Sequence, residues 1–524
     1  MSQMLKSSGA MAAAAMISRV LGMVREIVYS HFMGDKWVAS AFVNAFLMPN
    51  LFRRLLGEGA LTGSFIPIFK EKEKNSTPAE MWRAVNAVVC GLVVVAGAVV
   101  GLAILGLSIS LAMGHHTAES DLMLRLTRLM FPYMLLVCVA AIFMGILNAR
   151  GHFFIPAMGT AVMNVVLICS VWFLAPRMGA ELHQKIYGLA IGVLLAGVAQ
   201  VVFQWPTLRR EGFRLQWVTP WSDPTVRRVA RQMIPGTVAV ATYQLNVVIT
   251  QNFAFWVDRT LPASFNYAVR LMELPQGVFG ATLATVLLPL LSGLAVEKKY
   301  DEFRGAMRQG LEHLIFINLL ASVLLVILGE SMIRLLFQHG AFDEASTAGS
   351  TLALVWLAPG LLLFSINNIF ARAFFALGDT KTPVRISVFC MVVNLILALA
   401  LVRGMRQGGL ALANSTSAAV NCGLLVYALR RRLGHLDLSR LRGTLVPAIG
   451  AVVVAGAVAW GLRHWWVGAV GHVGVVTRFG EVFVPIAGAT LVYFAITWKF
   501  RVAAALEMGN MVLKRLGLRP RLSA

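Results

Sequence analysis

Charge is what this sequence lacks most. Only 13% of its 524 residues are Asp, Glu, Lys or Arg, whereas 58% are apolar. An ordinary soluble protein has about 25% charged and about 45–50% apolar residues. The composition excludes a disordered chain, and the apolar excess is more than a soluble enzyme of this length could bury. It therefore predicts a polytopic membrane protein.

Cysteine is also scarce, which excludes a scaffold built on disulfides. The five cysteines all lie inside apolar segments, and none has the spacing of metal ligands; they are Cys90, Cys138, Cys169, Cys390 and Cys422. We interpret them as reduced core residues. No metal site and no cofactor is expected.

Catalytic motifs are missing as well. The sequence contains no HExxH motif, no Walker loop, no Gly-x-Ser-x-Gly motif and no aspartate cluster at a predicted membrane face. A membrane-embedded enzyme acting on polyprenyl phosphates would need such a cluster, so we expect a transporter and not an enzyme. Without an ATP site, it must use an ion gradient, the membrane potential or the gradient of its substrate.

Long apolar runs take up most of the chain. Because a helix needs about 20 apolar residues to cross a bilayer, the pattern predicts an all-α protein with fourteen spanning helices. The second and eighth are long and interrupted by glycine and proline. The predicted spans are 9–33, 38–66, 84–112, 122–149, 155–176, 185–205, 232–257, 264–294, 309–330, 349–376, 384–402, 408–429, 443–466 and 480–500.

The basic residues indicate the orientation. Lys and Arg number 46 against 24 Asp and Glu, and they are interleaved with apolar runs, which argues against a nucleic acid partner. With the N-terminus inside, 29 of them fall in cytoplasmic segments or at the span ends next to them, and 9 in outer loops or at the span ends next to those. This bias predicts cytoplasmic N- and C-termini. The first apolar run, at 9–17, continues directly as helix, so we expect it to be retained and not cleaved as a signal peptide.

An internal repeat indicates how the helices are grouped. Residues 131–156 align with 358–383 without a gap, with two prolines and a glycine in register. Since this pairs the fourth span with the tenth, it predicts two six-helix bundles related by a pseudo-two-fold axis along the membrane normal. The predicted domains are 1–215 (first bundle), 216–435 (second bundle), 436–505 (two extra C-terminal helices, spans thirteen and fourteen) and 506–524 (a basic cytoplasmic tail).

Charged residues inside the predicted spans carry the functional signal. A charge at the bilayer centre costs at least ~2.5–3.5 kcal/mol, so such residues persist where they face water, a partner or a substrate. In the first span, Arg19 and Glu26 lie on one helical face, and Arg25 lies about 100° around the helix, beside Ser18. The others lie in spans two and eight: Arg53, Arg54, Glu58, Arg270 and Glu273.

The charges in these three spans do not balance. Five arginines face three glutamates, which leaves two positive charges over. For any single pair, local pairing that only locks helices together is an open alternative. A purely structural network should neutralise itself, because an unpaired buried charge is costly. The surplus therefore favours a wet cavity for an anion, and arginine suits phosphate because its planar fork makes bidentate bonds.

Other polar residues and prolines in the spans have simpler interpretations. Three arginines lie near span ends, where their side chains can reach the membrane surface: Arg125, Arg128 and Arg372. Mid-span amides are expected to bond across helices: Asn44, Asn164, Asn367, Asn368 and Asn394. The prolines of spans two and eight make either static kinks or bends that change during transport: Pro49, Pro67, Pro275 and Pro289.

Five segments resemble a known family. They are SRVLGMVRE (18–26), MPNLFRRLLGEGALTGSFIPIF (48–69), YAVRLMELPQGVFGATLATVLLP (267–289), LFQHGAFDEAST (336–347) and ARAFFALGDTKTP (371–383). These segments are similar to the MurJ/MviN family of bacterial lipid II flippases, and the likeness extends over essentially the whole chain. It implies the fold of the multidrug/oligosaccharidyl-lipid/polysaccharide exporter superfamily.

The resemblance also implies the substrate and its binding residues. The substrate is lipid II, the undecaprenyl-pyrophosphate-linked peptidoglycan precursor, moved from the inner to the outer leaflet of the bacterial cytoplasmic membrane for cell wall biogenesis and cell shape. The implied substrate-binding residues are Arg19, Arg25, Arg53 and Arg270, and the implied acids beside them are Glu26 and Glu58. The pattern of charged and polar residues in the spans adds Ser18, Arg54 and Glu273 as cavity-supporting residues. Ser40 and Val269 stand where relatives often have aspartate, which puts a proton relay through those acids in doubt.

These inferences combine into one mechanism, alternating access between two rigid bundles. The arginines hold the pyrophosphate, and the glutamates position the arginines. The lipid tail stays in the membrane along spans thirteen and fourteen, which in the family form a hydrophobic groove. We expect a monomer among membrane lipids, with coupling to Na⁺ or H⁺ left open. The alternatives are a flippase for another polyprenyl-linked oligosaccharide and a cation-coupled multidrug exporter, whose cavity should favour acids and aromatics.

Overall fold

The computed structural model of the chain describes residues 2–52, 62–277, 281–436 and 441–515. Within those ranges the chain forms α-helices, short 3₁₀ helices and turns, and no β-strand. The α-helices are α1 (Ser2–Met33), α2 (Trp37–Phe52), α3 (Thr62–Asn75), α4 (Pro78–Met113), α5 (Ala118–Met130), α6 (Tyr133–Ala149), α7 (Phe154–Phe173), α8 (Leu182–Arg210), α9 (Pro224–Val257), α10 (Leu261–Pro275), α11 (Ala281–Val296), α12 (Tyr300–Phe337), α13 (Glu344–Leu357), α14 (Gly360–Ala376), α15 (Lys381–Leu433), α16 (Arg442–Ala469), α17 (Val475–Lys499) and α18 (Ala503–Arg515).

Membrane-spanning helices dominate the described chain, as the apolar runs predict. Eight helical segments are long and apolar enough to cross a bilayer, and α13 with α14, bent by 47°, make a ninth. Three shorter apolar helices cover Trp37–Leu51, Val247–Val257 and Leu287–Val296. A helix suits a bilayer because it satisfies its own backbone hydrogen bonds. The total of fourteen spans stays a prediction.

The longest helix, α15, is long enough for two crossings. Its 53 residues would extend ~80 Å as one straight helix, against ~30 Å of bilayer core. The chain turns within it at Arg406, where φ is 48° and ψ is −123°. The hydroxyl of Ser417 then donates to the carbonyl of Cys390, 2.8 Å away, so the two halves lie side by side. They correspond to predicted spans eleven and twelve.

Predicted spans two and eight are each described as two helices. In span two, α2 contains Pro49 and α3 contains Pro67, with residues 53–61 between them outside the described ranges. In span eight, Pro275 closes α10 and Pro289 lies inside α11. Proline removes a backbone donor and clashes with the preceding turn, yet Pro49, Pro67 and Pro289 lie inside described helices.

The internal repeat is visible in how two helices begin. Pro132 immediately precedes α6, and Pro359 immediately precedes α14. Both helices then run for 17 residues. Each follows directly on a shorter helix, α5 or α13, so the proline marks a break inside one predicted span in both halves.

The same two helices also end alike. Each is followed by a glycine with positive φ, 86° at Gly151 and 74° at Gly378. Glycine is favoured there because a side chain makes the left-handed conformation costly. The next residue, His152 or Asp379, donates its backbone N–H back to the last turn at 2.9 Å. The aligned segments therefore share their local structure as well as their sequence pattern.

Two compact units divide the chain, and the first contains Met1–Ala263 with Gly340–Phe342. In it α1 packs on α7, α2 on α5, and α6 on α8. Helix α9 also belongs here, because it contacts α2, α3 and α4. The unit therefore continues past residue 215, where the repeat predicts the first domain to end, and the repeat-based domains stay a prediction.

The second unit contains Ser264–His339 and Asp343–Ala524. Helix α12 lies at its centre, in contact with α11, α13, α14, α16 and α17. One buried apolar cluster joins α11, α12, α14 and α15, and another joins α12 to α16, α17 and α18. In the second cluster the hydroxyl of Tyr493 donates to the Phe316 carbonyl at 2.9 Å. The C-terminal helices are thus packed onto α12.

Candidate functional site

A polar contact joins α1 to α7 in the first unit. The guanidinium of Arg25 donates from Nη1 to the side-chain oxygen of Asn164, 3.0 Å away, and from Nη2 to the carboxylate of Glu26. The side chains of Arg25 and Glu26 are only 11% and 6% exposed. A guanidinium this buried needs such partners because its desolvation is costly. Helix α7 therefore helps to hold Arg25 in one orientation.

Small polar residues also connect α1 and α7 on the N-terminal side of this bond. The hydroxyls of Ser18 and Thr160 lie 2.6 Å apart. The amide of Asn164 donates to the backbone carbonyl of Ser18 at 3.2 Å, while its oxygen accepts from Arg25. Interhelical hydrogen bonds in membranes contribute about 0.6–2 kcal/mol each. Asn164 thus links two points of α1 that lie about two turns apart.

An aromatic side chain completes the surroundings of Arg25. Its guanidinium carbon lies 5.6 Å from the centre of the Tyr29 ring. Tyr29 in turn packs edge-on against Phe42 of α2, with 5.9 Å between ring centres. A cation over an aromatic face gains roughly 0.5–2 kcal/mol, more when it is desolvated. Arg25 is therefore connected to α7 directly and to α2 through Tyr29.

Arg19, the other predicted arginine of α1, has different surroundings. It is exposed, as are Met16 and Val20 on the same helix. The carboxylate of Glu26 binds Arg25, and Arg19 has no ion pair or hydrogen bond with any residue that the structure describes. The two arginines are therefore not equivalent: one is fixed by partners and the charge of the other is available.

In the second unit, Arg270 and Glu273 form an ion pair along α10. Nη1 of Arg270 lies 2.8 Å from the carboxylate of Glu273, and the two side chains are 33% and 44% exposed. A helical pair at this exposure contributes about 0.5 kcal/mol or less. Glu273 therefore restrains Arg270 only weakly. Val269, next to it, is half-buried.

The span-two residues of the predicted site, Arg53, Arg54 and Glu58, lie outside the described residues. Ser40, earlier in the same span, is buried, and its hydroxyl accepts from the backbone N–H of Ala263 at 3.2 Å.

In the described part of the predicted site, the arginines can be compared with the carboxylates that pair with them. Local pairing, the alternative that the sequence left open, applies to Arg25 and Arg270. Arg19 is left as one positive charge without a carboxylate among the described side chains.

Sequence reasoning missed an ion network that ties α12 to α16 and α17. Glu330 of α12 binds Arg334 one turn later and Arg463 of α16, the latter at 2.7 Å. Glu481 of α17 is 1% exposed, accepts from the Ser331 hydroxyl, and lies 3.4 Å from Arg334 and 3.7 Å from Arg463. Two arginines and two glutamates balance, as a structural network should. The signal in the sequence was Glu481 itself, a carboxylate inside predicted span fourteen.

Relatives of known name match nearly the whole chain. A family profile described as "Lipid II flippase MurJ" matches residues 29–478. A Vibrio cholerae protein named "Probable lipid II flippase MurJ" is 32% identical over 473 residues, which are 88% of this chain and 89% of the relative. The "Lipid II flippase MurJ" of Burkholderia cenocepacia is 31% identical over 462 residues, 86% of this chain and 87% of the relative.

Solved structures share the fold. A structure described as "Lipid II flippase MurJ, inward closed conformation" superposes with a TM-score of 0.75 and 20% identity over 97% of this chain and 99% of that chain. An inward-facing multidrug resistance MATE family transporter of the MOP superfamily superposes with a TM-score of 0.63 and 15% identity, over 82% of this chain and 98% of that chain. At these identities the likeness concerns the fold alone.

Proposed function

The chain belongs to the MurJ family of lipid II flippases, and from this premise we propose how its arginines handle the substrate. Family membership confirms the predicted helical transporter fold and the predicted function, the movement of the peptidoglycan precursor lipid II. The two alternatives, a multidrug exporter and a flippase for another polyprenyl-linked oligosaccharide, are not favoured. A flippase moves its substrate without changing it, which fits a transporter better than a catalyst.

In our proposal Arg19 and Arg25 bind the pyrophosphate in different roles. Arg25 is held by Glu26 and Asn164, so its guanidinium is a preorganised donor. Arg19 is exposed and without a carboxylate partner among the described residues, so its charge is available to an arriving anion. This difference between two arginines on one helix is the observation that supports the proposal.

The other predicted residues have supporting roles in the same mechanism. Arg270 can exchange its exposed partner Glu273 for phosphate, because the pair is weak. Arg53 is proposed as a fourth guanidinium group for the substrate. Ser18, Arg54 and Glu58 are proposed to position these arginines and to limit affinity, so that the product can leave. Release on the other side follows by alternating access.

The lipid tail is proposed to lie along α16 and α17. Apolar side chains on these helices are widely exposed, 65% for Val453, 59% for Trp460 and 71% for Leu491. Such surfaces are stable against hydrocarbon. A tail that stays among them never enters water, so its burial, worth about 0.8 kcal/mol for each CH₂ group, is not lost during transport.

We propose that the protein lies in the bacterial inner membrane as a monomer, with both termini cytoplasmic. The positive-inside bias, 29 against 9 basic residues, supports this orientation. An inside-negative potential then drives the pyrophosphate outward with about 2.3 kcal/mol per charge for each 100 mV. The proposal needs no ATP site, and coupling to Na⁺ or H⁺ is not part of it.

Alanine substitution of three arginines tests the proposal. Arg19→Ala, Arg25→Ala and Arg270→Ala should each lower lipid II at the outer leaflet at least tenfold in cells depleted of their own flippase, because a charge-assisted bond contributes about 1.5–3 kcal/mol. The matched control is Arg125→Ala, since Arg125 is 50% exposed and pairs with Asp121. Normal flipping by all three variants at normal expression would refute the anion-binding role.

A further inference from the structure

A basic pocket lies in the second unit, apart from the predicted substrate residues. It encloses about 530 Å³ where α11, α14 and α15 end and α12 begins. Its lining includes Val296, Tyr300, Arg304, Leu377, Arg432 and Leu433. By the positive-inside prediction these helix ends are cytoplasmic. The lipid II mechanism proposed above uses none of these residues.

Arg304 is the buried cation of this pocket, only 7% exposed. Its Nη1 donates to the Leu433 carbonyl at 3.2 Å, and its Nη2 binds the carboxylate of Asp301. The Nε of Arg304 is buried and has no hydrogen-bond partner. Asp301 is 95% exposed in its side chain, so water competes for this ion pair and it can open at little cost.

Arg432 supplies the second guanidinium. Its Nη1 lies 2.5 Å from the carboxylate of Asp379, and its Nη2 donates to the Leu377 carbonyl at 3.1 Å. The side chain is 42% exposed, so it stays accessible from the pocket opening. Both arginines cap the carbonyls of helix ends and thereby offset the partial negative charge that those ends bring.

The chain around the pocket has a positive balance. The segments 297–304, 377–385 and 430–434 supply most of its wall, and they contain eight Lys or Arg against four Asp or Glu. A cavity with two forked guanidinium groups and a positive balance fits a phosphate group. The same wall has an apolar part, with Val296 83% exposed beside the arginines. A free phosphate ion makes no favourable contact with such a surface, whereas the acyl chains of a phospholipid can pack against it.

We propose that this pocket, called here the inner pocket, binds the phosphate of an anionic phospholipid from the cytoplasmic leaflet. Basic pockets between spanning helices on that side are suited to lipid headgroups. Arg304 and Arg432 bind the phosphate, Asp301 gives way to it, and Val296 contacts the start of an acyl chain. The bound lipid would stabilise the packing of the ends of α11, α14 and α15 on the start of α12.

The purified full chain can be titrated with phosphatidylglycerol in detergent and its occupancy read by native mass spectrometry. Arg432→Gln should weaken one binding event about tenfold, the loss of one charge-assisted contact. Asp301→Asn should tighten it, because the competing carboxylate is gone, and a gain of binding does not come from misfolding. Arg403→Gln is the matched control, since Arg403 is exposed and absent from the lining of the pocket.

Two further ligands separate the sources of phosphate. Phosphatidylcholine should bind more weakly than phosphatidylglycerol at this site, and inorganic phosphate should not displace the lipid at millimolar concentration. Displacement by inorganic phosphate would overturn the lipid assignment. Equal binding by the wild type, Arg432→Gln and Asp301→Asn would overturn the site. Lipid II flipping is measured separately, so failure here and failure of the arginine mechanism are distinguishable.

Discussion

The guanidinium of Arg25 donates to the side-chain oxygen of Asn164 across the contact of α1 with α7. The same amide binds the backbone carbonyl of Ser18 at 3.2 Å, so one side chain sets both the position of α1 and the direction of its buried arginine. Glu26, the neighbour of Arg25 in sequence, takes the other end of the guanidinium. A donor fixed in this way loses little conformational entropy when phosphate arrives.

Asn164→Ala should therefore slow flipping although it removes no charge. We expect about a tenfold loss, because Arg25 keeps its charge but loses the neutral partner that orients it. Outer-leaflet lipid II in flippase-depleted cells, normalised to the amount of protein, is the measurement. Asn86→Ala is the control, since Asn86 is also buried and its amide donates to two backbone carbonyls, those of Trp82 and Arg214.

The comparison with Asn86→Ala distinguishes a positioning role of Asn164 from a purely structural one. Both variants should lower the thermal unfolding midpoint by similar amounts, because each loses buried amide bonds. Only Asn164→Ala should impair transport. If the two variants flip lipid II equally well, Asn164 does not position Arg25 for the substrate.

The ion network around Glu481 leads to a prediction about stability. Glu481→Gln should destabilise the second unit by roughly 3 kcal/mol, because it leaves Arg334 and Arg463 sharing one carboxylate, that of Glu330. Thermal unfolding in detergent measures the change, and faster hydrogen exchange in α16 and α17 should accompany it.

The control for this network is Glu297→Gln. The pair of Glu297 with Lys299 is more than half exposed on both sides, so its loss should change the free energy of unfolding by less than about 0.5 kcal/mol. Equal effects of the two substitutions would show that the buried network contributes nothing beyond an exposed pair.

Local rules made the repeat predictable from the sequence. Pro132 and Pro359 stop one helix and start the next, and Gly151 and Gly378 end it, because proline and glycine restrict or free the backbone of single residues. These effects need no knowledge of distant parts of the chain. The apolar runs are local in the same sense, so the all-helical fold could be predicted.

The pairing of side chains was not predictable in this way. Residues one apart do not face each other on a helix, yet Arg25 binds Glu26, because its long side chain bends so that one guanidinium nitrogen reaches Asn164 of α7 and the other reaches Glu26 on its own helix. From helical periodicity alone, Glu26 is predicted to lie on the same helical face as Arg19. Glu481 meets Arg334 across 147 positions of sequence, and only the packing of α17 on α12 brings them together.

Asp379 should make the stability of the second unit depend on pH in acid. Burial raises the pKa of this carboxyl, but hydrogen bonds from the backbone and hydroxyl of Thr382, together with the charge of Arg432, outweigh it and hold the pKa below the ordinary 3.8. A depressed folded pKa means that the contribution is complete above the unfolded value and is lost as pH falls through the folded one. The temperature at which the protein unfolds should therefore decrease once the pH is lowered below about 4.

Asp379→Asn separates this group from the other acids. The variant should unfold at a lower temperature than the wild type at pH 6, where the wild-type carboxylate is charged, and the difference should shrink as the pH is lowered below about 4. Glu302→Gln, an exposed acid of the same unit, should keep the wild-type pH profile. A constant difference between wild type and Asp379→Asn from pH 6 to pH 3 would mean that hydrogen bonding without charge holds this turn.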